Sequence, residues 1–429
     1  MLRTLYRALW WLAAPAAVTR LLLRSRQERG YREHIAERFG CTAGRPLDDH
    51  APLIWVHAVS VGETRAAQPL IEALLQARPD ARVLLTHMTP GGRATGEQIF
   101  GERVLRSYLP YDVPHAVRRF LRAWRPTLGL VMETEVWPTL IEECQRRGVP
   151  LVLTNARMSA RSFRRASRFG AATREVFGGF SRVLAQSPAD AERLLALGAR
   201  NVTVLGNLKF DMNTPAEQVA QGHAWRAAFG ARPVWVAAST REGEEEQVLQ
   251  AFAALNVARA LLILVPRHPQ RFAEVAALVA RHRLRCERRS SWAVDGAVAG
   301  TAEKLDEDVQ VWLGDSMGEL GAYYAAADIA FIGGSLLPFG GQNLIEACAV
   351  GVPVLIGPHV FNFTQATADA VAAGAVLQVQ DAAELARTLQ TLFSDKPQRT
   401  AMGAAAAAFA ARHRGATART VEVLLTLLP

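Results

Sequence analysis

From residue 51 onward, short runs of branched apolar residues alternate with longer stretches of helical periodicity. PLIWVHAV (52–59), RVLLTH (82–87), LGLVM (128–132), VPLVL (149–153), RVLAQ (182–186) and VTVL (202–205) predict buried strands, with helices such as 64–77 and 139–147 between them. A second series repeats the theme: PVWVAAS (233–239), LLILVP (261–266), VQVWLG (309–314), DIAFIGG (328–334), PVLIG (353–357) and AVLQV (375–379). Helices are expected at 244–258, 269–281, 316–326, 343–350, 383–393 and 397–427, and a Gly-Ala-rich loop at 289–306. Strand-helix alternation of this kind builds parallel sheets, so the chain reads as one α/β architecture used twice. The polar stretch NLKFDMNTPAEQ (207–218) separates the two series and reads as the linker. Domains are therefore expected at 25–209 and 210–429, with a ligand cleft between the carboxyl ends of their sheets.

The amino terminus breaks this pattern. Residues 8–19 (ALWWLAAPAAVT) are mostly apolar and lie between Arg3 and Arg7 on one side and Arg20, Arg24, Arg26 and Arg29 on the other. Twelve helical residues reach about 18 Å, against a hydrocarbon slab of about 30 Å, and Leu21–Leu23 extend them toward a marginal span. The run flows into an Arg-rich segment instead of a cleavage site, which argues against a signal peptide. Trp10, Trp11 and the basic flanks suit the anionic cytoplasmic leaflet, so residues 1–24 are expected to form a membrane anchor helix. The competing reading is an amphipathic helix packed on the first domain.

Composition narrows the class. At 429 residues, half of them hydrophobic and 21% charged, the chain is too long for one core and too polar for a polytopic membrane protein. The four cysteines, Cys41, Cys144, Cys286 and Cys348, are scattered, which reads as reduced thiols and offers no zinc spacing. No metal is expected. The net charge of +9 admits anionic partners, and only Lys209, Lys304 and Lys396 among the 49 basic residues are lysine.

Candidate chemistry collects at predicted strand ends. HAVSVGET places His57, Ser60, Gly62 and Glu63 after the first strand, and THMTPGGR places Thr89, Gly91, Gly92 and Arg93 after the second, both suited to an anionic acceptor. Neither spacing matches a dinucleotide or Walker-type loop. METEVWP sets Glu133 and Glu135 after the third apolar run, where binding or salt bridging fits as well as acid–base work, and no proton transfer is assigned to them. In the second half, Ser239 in STREGEEE, Arg267 and His268 in VPRHPQRF, Met317, Gly318 and Glu319 in GDSMGEL, Gly334 in FIGGSL, and Asn343 with Glu346 in GGQNLIEA all sit at strand-to-helix turns. Singly, each is explained by capping or turn formation. Together they favour a nucleotide-sugar donor pocket.

These stretches, with YREHIAERFG (31–40), YLPYDVP (108–114), TNARMSARS (154–162), GNLKFD (206–211) and GPHVFNF (357–363), closely resemble the bacterial 3-deoxy-D-manno-octulosonic acid (Kdo) transferases of lipopolysaccharide biosynthesis, over nearly the whole chain. The resemblance implies a GT-B fold with two Rossmann-like domains, an amino-terminal domain for the acceptor, a carboxyl-terminal domain for CMP-Kdo, and a last helix returning to the first domain. It implies inverting transfer of Kdo from CMP-Kdo to the tetraacyl lipid A precursor, a phosphorylated glycolipid, at the cytoplasmic side of the inner membrane, with no cofactor. The glutamate of the family's ERxG motif falls on Glu37, otherwise a solvated helical residue, and makes it the general base. By the same resemblance Ser239, Arg267, His268, Met317, Gly318, Glu319, Gly334, Asn343 and Glu346 line the CMP site, with Lys209 approaching the donor or cleft. Gln342 and Leu344 replace the histidine and proline of the family's GGHNPLEA pattern, which removes any imidazole role there.

Two other readings compete with this one. A different GT-B enzyme, such as a sugar-nucleotide epimerase, would share the nucleotide pocket but needs no lipid-acceptor half. A basic membrane-peripheral nucleic-acid binder would use the charge, but the arginines are dispersed and no aromatic ladder interleaves with them, so no nucleic acid is expected. No protein partner is expected.

Overall fold

The computed structural model describes residues 6, 10, 16–17, 19–26, 29–42, 44, 50–211, 214–292 and 304–428. Two compact units form. One takes the chain to Met212 and recovers His413–Pro429, and the other is Asn213–Arg412.

The first unit is built on β1 (Leu53–His57), β2 (Arg82–His87), β3 (Leu105–Tyr108), β4 (Leu128–Met132), β5 (Leu151–Ala156), β6 (Arg182–Ala185) and β7 (Val202–Val204), ordered 3-2-1-4-5-6-7. Every pairing is parallel. Helices on both faces leave β1 and β4 buried along their whole length, which is why they read as unbroken apolar runs. The order reverses between β1 and β4, so the turns that follow these two strands diverge and open a crevice at their carboxyl ends.

The second unit repeats the plan with β8 (Val234–Thr240), β9 (Leu261–Pro266), β10 (Cys286–Arg288), β11 (Val311–Leu313), β12 (Ile329–Ile332), β13 (Val354–Ile356) and β14 (Val376–Gln378), ordered 10-11-9-8-12-13-14, again all parallel. Its switch point lies between β8 and β12. One face is filled by an aromatic cluster in which Trp312 of β11 meets Trp225, Trp292, Phe229 and Tyr323 at centroid separations of 5.0, 5.4, 5.1 and 5.7 Å. These edge-on contacts join the helix Ala216–Phe229 to the sheet.

Three expectations change. β3 and β10 were not foreseen. The single helix expected over 397–427 is two, Lys396–Arg412 and Ala416–Leu425, broken where Gly415 takes a left-handed φ of 91°. There the Asp211 carboxylate accepts from the backbone N–H groups of Gly415 and Thr417 at 2.6 and 2.5 Å, and His413 stacks on Phe210. The second piece buries Val421 and Leu424 in the first unit's core with Leu70, Ile71 and Leu205. Part of the expected linker (212–213) and most of the expected loop (293–303) lie outside the described residues.

The anchor helix is overturned. No helix among the described residues is long and apolar enough to cross a membrane. Much of 1–24 lies outside those residues; of the apolar side chains that are described, Leu22 and Leu23 are exposed, whereas Leu21, Trp10 and Ala17 are engaged by protein. Leu21 is buried with Tyr111, Val113 and Ala116, Trp10 and Ala17 pack on them, and the Tyr6 hydroxyl donates to Asp112 at 2.9 Å.

One turn beside this cluster positions the site. The 3-10 turn Ile35–Phe39 ends at Gly40, whose φ of 75° and N–H to the carbonyls of Ala36 and Glu37 close it. A Cβ at Gly40 would lie 2.1 Å from the carbonyl oxygen of Ala116. Gly40→Ala therefore forces backbone to move as well as straining φ, and is expected to cost the first unit about 2–4 kcal/mol. Denaturant titration reads this as an earlier midpoint, and an unchanged midpoint would contradict the clash.

Candidate functional site

Glu37 is brought from a polar segment onto the carboxyl edge of the first sheet. Its Oε2 accepts from Arg93 Nη1 at 2.7 Å and from the Tyr108 backbone N–H at 2.7 Å. Oε1 has only long contacts, Arg93 Nη2 and His34 Nδ1, both at 3.5 Å. One oxygen is thus pinned and the other is left with capacity to accept a further hydrogen bond. Arg93 stands on the helix Pro90–Phe100, which Thr89 caps by accepting from the Gly92 N–H at 3.1 Å. Gly92 fits because a Cβ would press on the Val59 carbonyl at 3.1 Å, and Gly91 lies against Val61. Thr89 and the two glycines hence place Arg93.

Tyr108 and Arg38 complete this arrangement, and sequence reasoning missed both. The Arg38 guanidinium lies 3.9 Å from the centroid of the Tyr108 ring and donates to the Met88 carbonyl at 3.1 Å, while that of Arg93 lies 5.1 Å from the same ring. YLPYDVP, which places Tyr108 at a strand end, carried the available signal.

At the switch point a second group forms. Glu63, on the helix Val61–Ala77, accepts from the Val59 N–H at 2.6 Å. Glu133, at the end of β4, has a left-handed φ of 58° and pairs with Lys209 Nζ at 2.8 Å. Lys209 reaches it because Asn155, at the end of β5, accepts from the Leu208 N–H at 3.1 Å and holds the turn Leu208–Asp211. Lys209 therefore stands with Glu133 at the edge of the first sheet. Burial, then Glu133 and Glu135, push the Glu63 carboxyl up to about 8 against the pull of the Val59 N–H and Lys209. Burial also raises Glu135. Ser60 and Gly62 occupy the first turn beside Glu63, with open space around Gly62. His57 is apart from this group. It lies fully buried inside β1 with Nδ1 on Thr86, and burial lowers it to about 3.

In the second unit the strand-end turns are stitched together by Glu244. It stands in the first turn of its helix, where an acid complements the dipole, but it is fully buried and accepts from the backbone N–H groups of Arg241, Gly334, Ser335 and Leu336 at 3.1, 2.6, 2.9 and 3.0 Å. It fixes the turns after β8 and β12 on either side of the switch point. Ser239 is buried at a β8 irregularity with φ 60°, and Gly334 also needs a positive φ, 68°. The Arg267 N–H donates to the Thr240 carbonyl, and His268 beside it is exposed. Its ring is held below its ordinary value by burial, then by Arg241, Arg267 and Arg271. These four basic side chains share the edge, and such a grouping suits a phosphate.

The turn after β11 supplies acceptors. Glu319 Oε1 accepts from Arg289 at 2.9 Å and Gln221 at 3.2 Å, and Ser316 bonds its other oxygen. Gly318 has φ 85° and open space, and Met317 is 53% exposed beside it. Asn343 donates to Glu346 Oε1 at 2.8 Å and accepts from the Ile345 N–H at 3.1 Å, fixing the glutamate at the start of its helix. Gln342 lies against Gly334.

Glu63 has a measurable signature. A carboxyl that titrates near 8 when folded and 4.5 when free binds its proton more tightly in the folded state. The stability it contributes is complete below about pH 4.5 and is lost as pH rises to about 8. Glu63→Gln should flatten this decline, measured as denaturant midpoints between about pH 5 and pH 8. A variant whose pH slope equals that of the wild type would remove Glu63 as its source.

A family profile described as "3-Deoxy-D-manno-octulosonic-acid transferase (kdotransferase)" matches residues 33–212, and one described as "Glycosyl transferases group 1" matches residues 301–409. A 3-deoxy-D-manno-octulosonic acid transferase of Bordetella pertussis is 48% identical over 412 residues, 94% of each chain. That of Haemophilus influenzae is 37% identical over 430 residues, 99% of this chain and 98% of its own. Among solved structures, the UDP-GlcNAc 2-epimerase of Neisseria meningitidis bound to UDP-GlcNAc matches 87% of this chain and 100% of its own with a TM-score of 0.58 at 16% identity, a likeness of fold alone. With two parallel α/β units of GT-B type and near full-length similarity to these enzymes, the chain belongs to the 3-deoxy-D-manno-octulosonic acid transferase family.

Proposed function

We propose that this glycosyltransferase moves Kdo from CMP-Kdo to the tetraacyl lipid A precursor with inversion, in lipopolysaccharide biosynthesis. The observation that carries the mechanism is the Glu37 carboxylate, pinned through Oε2 by Arg93 and the Tyr108 N–H with Oε1 turned to long contacts. The acceptor hydroxyl gives its proton to Glu37 as its oxygen attacks the anomeric carbon of the donor. The bond from that carbon to the CMP phosphate breaks, and CMP leaves with the electron pair. Arg267 and His268, with Arg241 nearby, stabilise the charge on the leaving phosphate. Glu346 and Glu319 accept from hydroxyl or amine groups of the nucleotide, and Gly318 and Gly334 admit it close to the backbone. Ser239, Asn343 and Met317 line the same donor site, and Lys209 with Glu133 belongs to the acceptor side.

Work on a lipid acceptor sets this reading at the cytoplasmic face of the inner membrane. The net charge of +9 supports it, because an anionic surface attracts a basic protein. The epimerase likeness is one of fold and supplies no observation in favour of that chemistry.

Incubation with CMP-Kdo and a tetraacylated disaccharide bisphosphate should raise the mass of the lipid by one or more Kdo residues, and no increment would reject the assignment. Glu37→Gln keeps acceptors for Arg93 and the Tyr108 N–H but removes the base. It should lower kcat by about 100- to 10,000-fold with the thermal midpoint unchanged. Full turnover in a folded variant would take Glu37 out of that role.

A further inference from the structure

The segment 157–174 holds six arginines and no acidic residue. Within it the helix Ala160–Ser167 is capped by Ser159, whose hydroxyl accepts from the Ser162 N–H at 3.1 Å. Phe163 and Ala166 pack against the first unit's core. Arg161, Arg164, Arg165 and Arg168, at spacings of three, four and seven, make the opposite stripe. All four are exposed, and none has an ion-pair partner among the described residues. Phe169, at the end of the helix, is 60% exposed, the largest value among the apolar side chains described as exposed.

A stripe of unpaired arginines ending in a bare aromatic ring is unusual for a helix whose only task is to cover a core. Charged faces of soluble helices ordinarily interleave both signs. Its place in the fold is also specific. The segment leaves the carboxyl end of β5, and the Arg157 N–H donates to the Glu133 carbonyl at 3.4 Å, so the helix rises from the same edge that carries Glu133 and Lys209.

We infer that the arginine face of Ala160–Ser167, with Phe169, is a docking surface for an anionic phospholipid bilayer. The inference deepens the proposed function by naming the surface on which the acceptor half meets the lipid phase. Guanidinium groups pair with headgroup phosphates, and the ring enters the boundary between headgroups and acyl chains. An anionic bilayer fits this face better than a nucleic acid because the stripe ends in an apolar wedge and has no array of rings for bases.

The test is sedimentation of the full chain with vesicles of phosphatidylethanolamine, with and without phosphatidylglycerol. The expected result is phosphatidylglycerol-dependent binding that weakens as salt is added. Changing Arg161, Arg164, Arg165 and Arg168 together to Gln should weaken it on the order of 100-fold, while the four Lys substitutions should largely retain it. Phe169→Ser, which leaves every charge in place, should weaken it about tenfold and keeps the test open if the four-Gln variant does not fold. Turnover of a detergent-dispersed acceptor should be unchanged in the folded variants, which separates failure of this inference from failure of the transferase reading. Wild-type binding indifferent to phosphatidylglycerol, variants that bind as wild type does, or a loss seen only with an oligonucleotide probe would each overturn the proposal.

Discussion

A parallel sheet forces every strand to leave at the same edge, and each crossover must return along a face to begin the next strand. The chemistry-bearing turns of each unit thereby gather on one edge, and the reversal of strand order decides where they part. Side chains there must replace the hydrogen bonds the ladder no longer offers. The two units solve this alike. In each, a glutamate from the helix after the first strand turns back onto strand-end amides: Glu63 onto Val59, and Glu244 onto Arg241, Gly334, Ser335 and Leu336. The difference lies in donor number. Burial raises both carboxyls, but four donors oppose it at Glu244 and bind that residue into the scaffold, whereas Glu63 has one backbone donor and neighbouring carboxyls that push it further up.

The same edge explains why Glu37 is useful although it comes from outside the sheet. β3 is an edge strand, and the Tyr108 N–H faces its unpaired side while the next N–H, of Leu109, still bonds to His87 of β2, so the Tyr108 donor is available to a carboxylate. Its ring receives Arg38 and Arg93, and Arg93 also grips the carboxylate. Glu37 is therefore held by one strand end and one helix whose own start is fixed by Thr89 on the Val59 carbonyl. Orientation is distributed over rigid elements, as the base role proposed for Glu37 would require.

Most of the scaffold was legible in the sequence because buried parallel strands write themselves as apolar runs. LGLVM and LLILVP match β4 and β9 residue for residue. The strands that escaped, β3 and β10, are edge strands paired on one side only, and Arg106, Ser107, Glu287 and Arg288 break their apolar pattern. Site residues were legible in type and only partly in task. A first-turn acid such as Glu244 looks like one more complement to a helix dipole, since nothing local reveals that amides from a turn 90 residues further along the chain converge on it. His57 has the opposite history, because its place in a glycine-bearing motif suggests a ligand contact while its position inside β1 buries it. The amino-terminal run was misread for a related reason: apolarity states that a surface wants cover, and Tyr111, Val113 and Ala116 provide it for Leu21.

The return of the chain to the first unit has a consequence for biosynthesis. Because Asn213–Arg412 is inserted between the first unit's sheet and the helix Ala416–Leu425, the ribosome delivers the seven strands of that unit long before the Val421 and Leu424 that close their core. During elongation the nascent first unit exposes an unfilled apolar face beside Leu70, Ile71 and Leu205 while the second unit emerges and folds as a contiguous piece. The first unit's core can therefore be completed only after the inserted unit has been made, and a nascent chain stalled before residue 416 carries the whole inserted segment on an unfinished host.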